Sequence, residues 1–219
     1  MRAAIFDLDG TLADTSTDLI TAANRALGAD LLDTEADAAT AFRGGRAILR
    51  LGFERQGRAW TEADVDDAFQ PFLDHYQVGI ADHTRLYEGV EAALDRLDAA
   101  GWALGVCTNK PAALAEDLLQ RLGVRARFAA MLGADSLEVR KPDPRHLWET
   151  IRIAGGAPDR AVLVGDSVTD LDAARNAGVA CVLVTFGPEA MGVRGLAPEA
   201  YLDHYDDLDG VLARLAASW

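Results

Sequence analysis

The chain has 219 residues, half of them hydrophobic, and a formal net charge of −14. That length supports one substantial core, or a core domain with a small second domain. The negative charge disfavours non-specific binding to nucleic acid or anionic membranes, so we expect neither as a partner. No apolar run reaches the length of a membrane span, and Met1-Arg2 leads directly into a predicted strand. We therefore expect a cytoplasmic protein without a signal peptide.

The first predicted strand, residues 2–7, is a short apolar run that ends in acidic residues. The sequence there reads Ala3-Ala4-Ile5-Phe6-Asp7-Leu8-Asp9-Gly10-Thr11-Leu12. Two carboxylates at the end of an interior strand are costly unless a cation meets them, and Mg²⁺ prefers oxygen ligands. A strand followed by a simple polar turn is the alternative interpretation of these residues.

From residue 14 to about 79 the sequence predicts helices. Turn and N-cap residues at 14–18 come first, and apolar side chains then recur at helical spacing as far as Tyr76. Amphipathic helices of this combined length suit a small bundle. We expect an inserted helical domain over residues 16–83.

After residue 85, apolar strands alternate with helices. Strands are predicted at 102–107, 128–132, 161–164 and 180–184, helices at 90–97, 111–122, 142–154, 170–177 and 208–215, and a loop at 187–198. Such alternation indicates a parallel sheet with helices on both faces. We expect residues 1–15 and 84–219 to form an α/β, Rossmann-like core.

Polar residues follow four of the predicted strands, at the edge where open parallel sheets bind ligands. They are Asp7 and Asp9, Thr108-Asn109-Lys110-Pro111, Lys141, and Gly165-Asp166 with Asp170. Each set also has a plain structural interpretation. Thr and Asn commonly cap helices, and a lysine before a helix is commonly solvated. Ser167 with Asp170 has the spacing of a capping box, and Gly165-Asp166 fits a tight turn. Four such sets in this order favour a catalytic site.

The segments Asp7-Leu8-Asp9-Gly10-Thr11, Thr108, Lys141 and Gly165-Asp166-x-x-x-Asp170 resemble, in order, the four motifs of the haloacid dehalogenase (HAD) superfamily. The helical insertion is similar to that family's C1-type cap. Residues 107–111 and 140–144 are similar to the corresponding segments of phosphoglycolate phosphatases. The resemblance covers nearly the whole chain.

This resemblance implies a Mg²⁺-dependent phosphatase that acts through an aspartyl-phosphate intermediate. Asp7 would be the nucleophile and Asp9 the general acid and base. The implied metal site contains Asp7, Asp9 (through its backbone carbonyl), Asp166 and Asp170. Thr108, Asn109 and Lys141 would bind the phosphoryl group, with Thr108 and Lys141 also catalytic. The expected substrate is a small phosphorylated metabolite, with phosphoglycolate first.

Other functions remain as alternatives. Haloacid dehalogenases lack the carboxylate present here as Asp9, and sugar phosphomutases resembling beta-phosphoglucomutase carry a histidine where this chain has Leu19. A phosphomutase, a phosphatase for a sugar phosphate or nucleotide, and a non-catalytic HAD-fold binding module stay open. The last is disfavoured because a binding module needs no general acid.

Arg43 and Arg46 flank Gly44-Gly45 between predicted helices of the insertion. The planar guanidinium group suits a carboxylate or phosphate, so we expect one of them to contact a second anionic group of the substrate. A solvated turn with a glycine C-cap is the alternative. We further expect Cys107 and Cys181 to be buried free thiols, and the protein to be a monomer or homodimer.

Overall fold

The computed structural model describes residues 1–187, 190–217 and 219. The chain divides into two compact units. One contains residues 1–13 with 86–219, and the other contains residues 14–85. The expected boundaries, 15/16 and 83/84, lie two residues from these positions, and the chain crosses between the units at 13–14 and 85–86.

The larger unit is built on a parallel sheet. In chain order the strands are β1 (Ala3–Phe6), β2 (Ala13–Asp14), β3 (Arg85–Leu86), β4 (Ala103–Cys107), β5 (Ala130–Leu132), β6 (Ala161–Gly165), β7 (Ala180–Val184) and β8 (Ala200–Leu202). Six of them form one sheet in the order β5-β4-β1-β6-β7-β8, while β2 and β3 pair with each other where the chain crosses between the units. The expected α/β Rossmann-like fold is confirmed.

Strand β1 lies inside this sheet and is fully buried along its length. Phe6 lies in register with Val106 of β4 and Val164 of β6, and both pairings are parallel. The carboxyl ends of the three strands therefore meet at one edge. Residues that directly follow them, including Asp7, are brought to that edge by the backbone alone.

The smaller unit is a helical bundle. Its helices are α1 (Ser16–Leu27), α2 (Ala38–Phe42), α3 (Gly45–Arg55) and α4 (Glu62–Val78). The buried faces carry the predicted apolar spacing, for example Ile20 on α1, Leu49 on α3 and Phe72 on α4. Helix α3 begins at Gly45, where a Cβ would collide with the ring of Phe72, so glycine lets the two helices approach closely here.

Further helices surround the sheet of the larger unit. They are α5 (Val90–Ala99), α6 (Ala112–Arg121), α7 (Pro144–Ala154), α8 (Val168–Ala177), α9 (Ala190–Val193) and α10 (Leu208–Ala216). The predicted start of α7 at residue 142 is wrong. Asp143 is the N-cap, and its carboxylate accepts a hydrogen bond from the backbone N–H of Arg145 at 3.0 Å. The helix therefore begins one residue after this aspartate.

The segment after β7 differs from the predicted loop over 187–198. Residues 188 and 189 lie outside the described residues, and the short helix α9 follows them. The edge strand β8 was not predicted, because three residues give too little alternation to indicate a strand. Its placement comes from parallel pairing with β7, in which Val184 lies opposite Leu202.

Two further sequence expectations concern cysteines and membrane spans. Cys107 and Cys181 are both free and buried, as predicted. Among the helices of the described residues, none combines the length and apolarity needed to cross a bilayer.

A buried carboxylate fixes the end of the helical unit. Asp18, in the first turn of α1, accepts hydrogen bonds from the backbone N–H groups of His83 and Thr84, at 3.1 and 2.8 Å. It also accepts one from the hydroxyl of Thr84 at 2.7 Å. Asp18 and Thr84 are both buried, so the removal of this carboxylate would leave buried donors without an acceptor.

We therefore expect Asp18→Ala to destabilise the helical unit by about 2–4 kcal/mol, from the lost charged hydrogen bonds and the unsatisfied donors. Urea unfolding and hydrogen exchange of the amides of residues 83 and 84 measure this. Asp74→Ala is the matched control, since that carboxylate is exposed on α4, and it should change stability by less than about 0.5 kcal/mol. Equal losses in the two variants would contradict the assignment.

Candidate active site

The turn after β1 places two carboxylates at the sheet edge. The backbone N–H of Leu8 donates to Asp7 Oδ1 at 2.7 Å, while the Leu8 side chain is buried. Gly10 follows with φ +78°, and a Cβ there would collide with the carboxylate of Asp166. Glycine is needed at this position both for the backbone conformation and for the close approach of Asp166.

The same turn is held by hydroxyl groups. The hydroxyl of Thr11 donates to Asp166 Oδ1 at 2.9 Å. The phenol of Tyr205, in the 3₁₀ turn before α10, donates to the backbone carbonyl of Thr11 at 2.9 Å. Thr11 and Tyr205 are both buried. The C-terminal part of the chain therefore braces the turn that carries Asp7 and Asp9.

Three carboxylates converge at the edge. Oxygens of Asp7, Asp166 and Asp170 all lie within 4.8 Å of one another. Burial raises the pKa of Asp7 to about 6; the charge of Asp170 adds to this and Lys141 opposes it. Burial, with the charges of Asp170 and Asp7, also holds the pKa of Asp166 well above its usual range. This crowding of negative charge suits a small divalent cation, which prefers carboxylate oxygens.

Lys141 lies inside this acidic cluster. Its Nζ is 2.9 Å from Asp7 Oδ2 and 2.6 Å from Asp170 Oδ1. Burial opposes the charge of the ammonium, but the carboxylates of Asp170 and Asp7 outweigh it and raise the pKa of Lys141. The alternative of a solvated lysine is excluded, because its side chain is 1% exposed.

The two carboxylate oxygens of Asp170 accept hydrogen bonds from different partners. Its Oδ2 accepts from the backbone N–H of Ser167 at 3.2 Å, and the hydroxyl of Ser167 accepts from the N–H of Asp170 at 3.4 Å. These two hydrogen bonds form the predicted capping box at the start of α8. Oδ1 of Asp170 holds Lys141. A Cβ at Gly165 would collide with the side chain of Asp170, so the glycine before Asp166 makes room for this carboxylate. The capping interpretation and the site interpretation of Asp170 therefore hold together.

Thr108 and Asn109 follow β4 but do not cap α6. Asp135 accepts from the backbone N–H of Ala112 at the start of that helix. The hydroxyl of Thr108, which is buried, accepts from the N–H of Lys110 at 3.2 Å. The side-chain amide of Asn109 donates to the carbonyl of Lys141 at 3.0 Å, which ties the two loops together.

Lys110 is a site residue to which the sequence analysis gave no role. Its Nζ lies 2.8 and 3.1 Å from the two oxygens of Asp9. The side chain of Lys110 is 3% exposed and that of Asp9 is 21% exposed. Asp9 therefore pairs with Lys110 rather than entering the three-carboxylate cluster, and its predicted contribution to a metal site through the backbone carbonyl stays a prediction.

A compositional signal points to this residue. Of the 21 lysines and arginines of the chain, two are lysines, Lys110 and Lys141. Both are buried and both contact a carboxylate that follows β1. Every arginine, in contrast, is at least partly exposed. The rarity of lysine could have indicated Lys110 from the sequence.

A buried neutral pair lies at the carboxyl ends of β4 and β5. His146 on α7 lies 3.5 Å from the sulfur of Cys107 and 3.1 Å from the carbonyl of Gly133. Burial and the charge of Lys141 lower the pKa of His146 to about 4, and burial raises that of Cys107 to about 12. Neither group offers a charged nucleophile or base near neutral pH, so this pair is structural.

The arginines predicted to set specificity lie in the helical unit. Arg46, on α3, pairs with Asp66 and lies over the ring of Phe69, 4.6 Å from its centroid. Arg43 is exposed between α2 and α3. Their contact with a second anionic group of the substrate stays a prediction, and Arg46 would have to leave Asp66 to make it.

Comparisons with known proteins agree with this geometry. Residues 4–184 match the family model described as haloacid dehalogenase-like hydrolase. A phosphoglycolate phosphatase of Mesorhizobium japonicum is 44% identical over 95% of this chain and 93% of its own length. One of Agrobacterium fabrum is 40% identical over 95% and 91%.

Among solved structures, a predicted phosphoglycolate phosphatase from Haemophilus somnus superposes with a TM-score of 0.82 at 28% identity. The match covers 96% of this chain and 97% of that one. The family match and the relatives together confirm the resemblance inferred from the four motifs. The chain belongs to the haloacid dehalogenase-like hydrolase family.

Proposed function

We propose that this protein is a Mg²⁺-dependent phosphoglycolate phosphatase that works through an aspartyl-phosphate intermediate. The coarser assignment, a phosphatase of the HAD superfamily, follows from the family and from the relatives named above. The observation that carries the proposal is the buried arrangement of Asp7, Lys141 and Asp170 at the carboxyl edge of the sheet. It presents a carboxylate nucleophile beside a fixed positive charge.

In the first step, a carboxylate oxygen of Asp7 attacks phosphorus while the bond to the leaving oxygen breaks. Asp9 donates its proton to that oxygen, so that glycolate leaves as an alcohol. Lys141, 2.9 Å from Asp7, stabilises the negative charge that the nucleophile and the phosphoryl oxygens share. The hydroxyl of Thr108 and the backbone N–H of Asn109 bind those oxygens.

In the second step, Asp9 takes a proton from water, which attacks the phosphorus of the aspartyl phosphate. The bond to Asp7 breaks, and the products are inorganic phosphate and the free carboxylate. Asp7 and Asp9 follow one strand with a single residue between them. One turn therefore carries both the group that is phosphorylated and the group that moves the proton.

The carboxylates of Asp7 and Asp166 have the chemistry of a Mg²⁺ site, with Asp170 close to both. When bound, Mg²⁺ would neutralise charge on the phosphoryl oxygens and keep Asp7 ionised. The side chain of Asp170 is fully buried and holds Lys141 and Ser167, whereas that of Asp7 is 14% exposed. We propose that Asp7 and Asp166 supply the direct side-chain ligands and that Asp170 positions Lys141.

The proposed nucleophile gives the sharpest test. Asp7→Asn should lower kcat for phosphoglycolate by at least about 10³-fold, because a neutral amide cannot attack phosphorus. Release of inorganic phosphate is measured across a panel of small phosphate esters with Mg²⁺, for the wild type and the variant in parallel. The wild type should prefer phosphoglycolate.

Asp172→Asn is the control, since that carboxylate lies on α8 two residues from Asp170 and is not part of the cluster. It should retain wild-type activity. If the wild-type protein releases no phosphate from any ester, the phosphatase assignment is contradicted. If it prefers a sugar phosphate or a nucleotide, the assignment of phosphoglycolate as the substrate is contradicted.

The raised pKa values of Asp7 and Asp166 predict how the stability of the protein without metal depends on pH, and how Mg²⁺ changes it. A carboxyl whose pKa is higher in the folded than in the unfolded state makes the folded protein less stable as pH rises from about 4 through about 6. Asp7, with a pKa of about 6, must lose its proton to bind a cation. Stabilisation by Mg²⁺ should therefore increase as the pH rises through this range.

Thermal unfolding with and without Mg²⁺, at constant ionic strength, measures this effect. We expect a larger increase in Tm at a pH of about 7.5 than at about 5. Asp166→Asn should reduce the increase at both pH values, whereas Asp172→Asn should not. An increase in Tm that is the same at both pH values would show that the cation binds elsewhere.

A further inference from the structure

We propose that Tyr205 is a positioning residue of the Mg²⁺ site, and that it acts through Thr11 to hold Asp166 in place for the cation. This inference rests on the proposed function, because it takes Asp166 as a ligand of the metal. Tyr205 lies in the 3₁₀ turn before α10, outside the four segments that resemble the family motifs. The C-terminal part of the chain thus contributes to metal binding without supplying a ligand.

Two buried hydrogen bonds connect Tyr205 to Asp166. The phenol of Tyr205 donates to the backbone carbonyl of Thr11 at 2.9 Å, and the hydroxyl of Thr11 donates to Asp166 Oδ1 at 2.9 Å. Thr11, Tyr205 and Asp166 are all buried. Hydrogen bonds in such surroundings are strong, because water does not compete for the donors. Removal of the phenol hydroxyl would leave the carbonyl of Thr11 without this donor.

The close packing of the turn makes the position of Asp166 sensitive to Thr11. A Cβ at Gly10 would lie 2.4 Å from Asp166 Oδ2, so this carboxylate packs directly against the backbone of the turn. The turn is closed by a hydrogen bond from the N–H of Gly10 to the carbonyl of Ala13, at 2.9 Å. A displacement of the turn therefore has to move Asp166. Mg²⁺ demands near-ideal octahedral geometry, so its affinity depends on where such a ligand is held.

Tyr205 is itself anchored to the larger unit on two sides. The guanidinium of Arg96, on α5, donates to the backbone carbonyl of Tyr205 at 3.0 Å and to Asp209 Oδ1 on α10 at 2.8 Å. The ring of Phe186, after β7, lies 5.5 Å from the ring of Tyr205, measured between centroids. The phenol therefore reaches Thr11 from a fixed position, as a residue that orients a metal ligand must.

Titration calorimetry with Mg²⁺ tests the proposal on the whole protein without turnover. Tyr205→Phe removes the hydroxyl and keeps the ring. We expect the Kd for Mg²⁺ to rise by about 3- to 10-fold, as for the loss of one buried hydrogen bond. Thr11→Val, which removes the hydroxyl that contacts Asp166, should raise it by about 10- to 100-fold. Thr11→Ser keeps that hydroxyl and should retain most of the affinity.

Tyr201→Phe is the matched control. Tyr201 lies on β8, and its phenol also donates to a backbone carbonyl, that of Leu196, on the exposed side of the C-terminal region. Its loss should leave the Kd for Mg²⁺ unchanged. A purely structural role of Tyr205 predicts that Tyr205→Phe lowers Tm and leaves the Kd unchanged, which would overturn the proposal.

A double-variant cycle tests the route through Thr11. In the Thr11→Val background, Tyr205→Phe should raise the Kd by less than about 2-fold, because the connection to Asp166 is already broken. A full further rise would show that Tyr205 acts by another route and would contradict the inference.

The two proposals can fail separately. If the wild type binds Mg²⁺ but hydrolyses no phosphate ester, the proposed function fails, and the Kd values still decide the role of Tyr205. If the wild type binds Mg²⁺ and hydrolyses phosphoglycolate while Tyr205→Phe has the wild-type Kd, the inference alone fails. A wild type that binds no Mg²⁺ would overturn both.

Discussion

The structure of the site depends on negative charge that is buried at one sheet edge. Asp7, Asp166 and Asp170 bring carboxylate oxygens within 4.8 Å of one another, in surroundings where an uncompensated charge is costly. Lys141 compensates part of this charge by contacting two of the three. The carboxylates remain crowded enough that burial raises the pKa of Asp7 and Asp166. Carboxylates in this arrangement would be stabilised by a bound cation.

The fold concentrates these charges through register and small residues. β1 runs parallel between β4 and β6, so three loops start at the same level of the sheet. Gly10 and Gly165 then leave space for the carboxylates of Asp166 and Asp170. Any side chain at either glycine would separate the groups that have to meet. The tight turns at this edge and the crowding of its charges therefore depend on the same two glycines.

The sequence predicted five strands of the main sheet, β1 and β4 to β7, and most helices, because apolar runs and helical periodicity report burial directly. It also predicted the motif residues that gather at the edge. It could not predict β8, whose three residues are placed by pairing with β7, or the start of α7 at Pro144. Lys110 was missed for a different reason: nothing local in Asn109-Lys110-Pro111 reveals a partner that lies 101 residues away in sequence.

Lysine and arginine occupy different places in this structure. The shapes of their charged groups explain why both buried basic residues are lysines. Every arginine is at least partly exposed, and two of those on α3, Arg46 and Arg50, pair with acidic side chains of α4. A guanidinium fork is wide and planar, which suits such open, bidentate pairs. An ammonium is a compact charge that fits between two carboxylates, as Lys141 does between Asp7 and Asp170. The same compactness lets Lys110 contact both oxygens of Asp9.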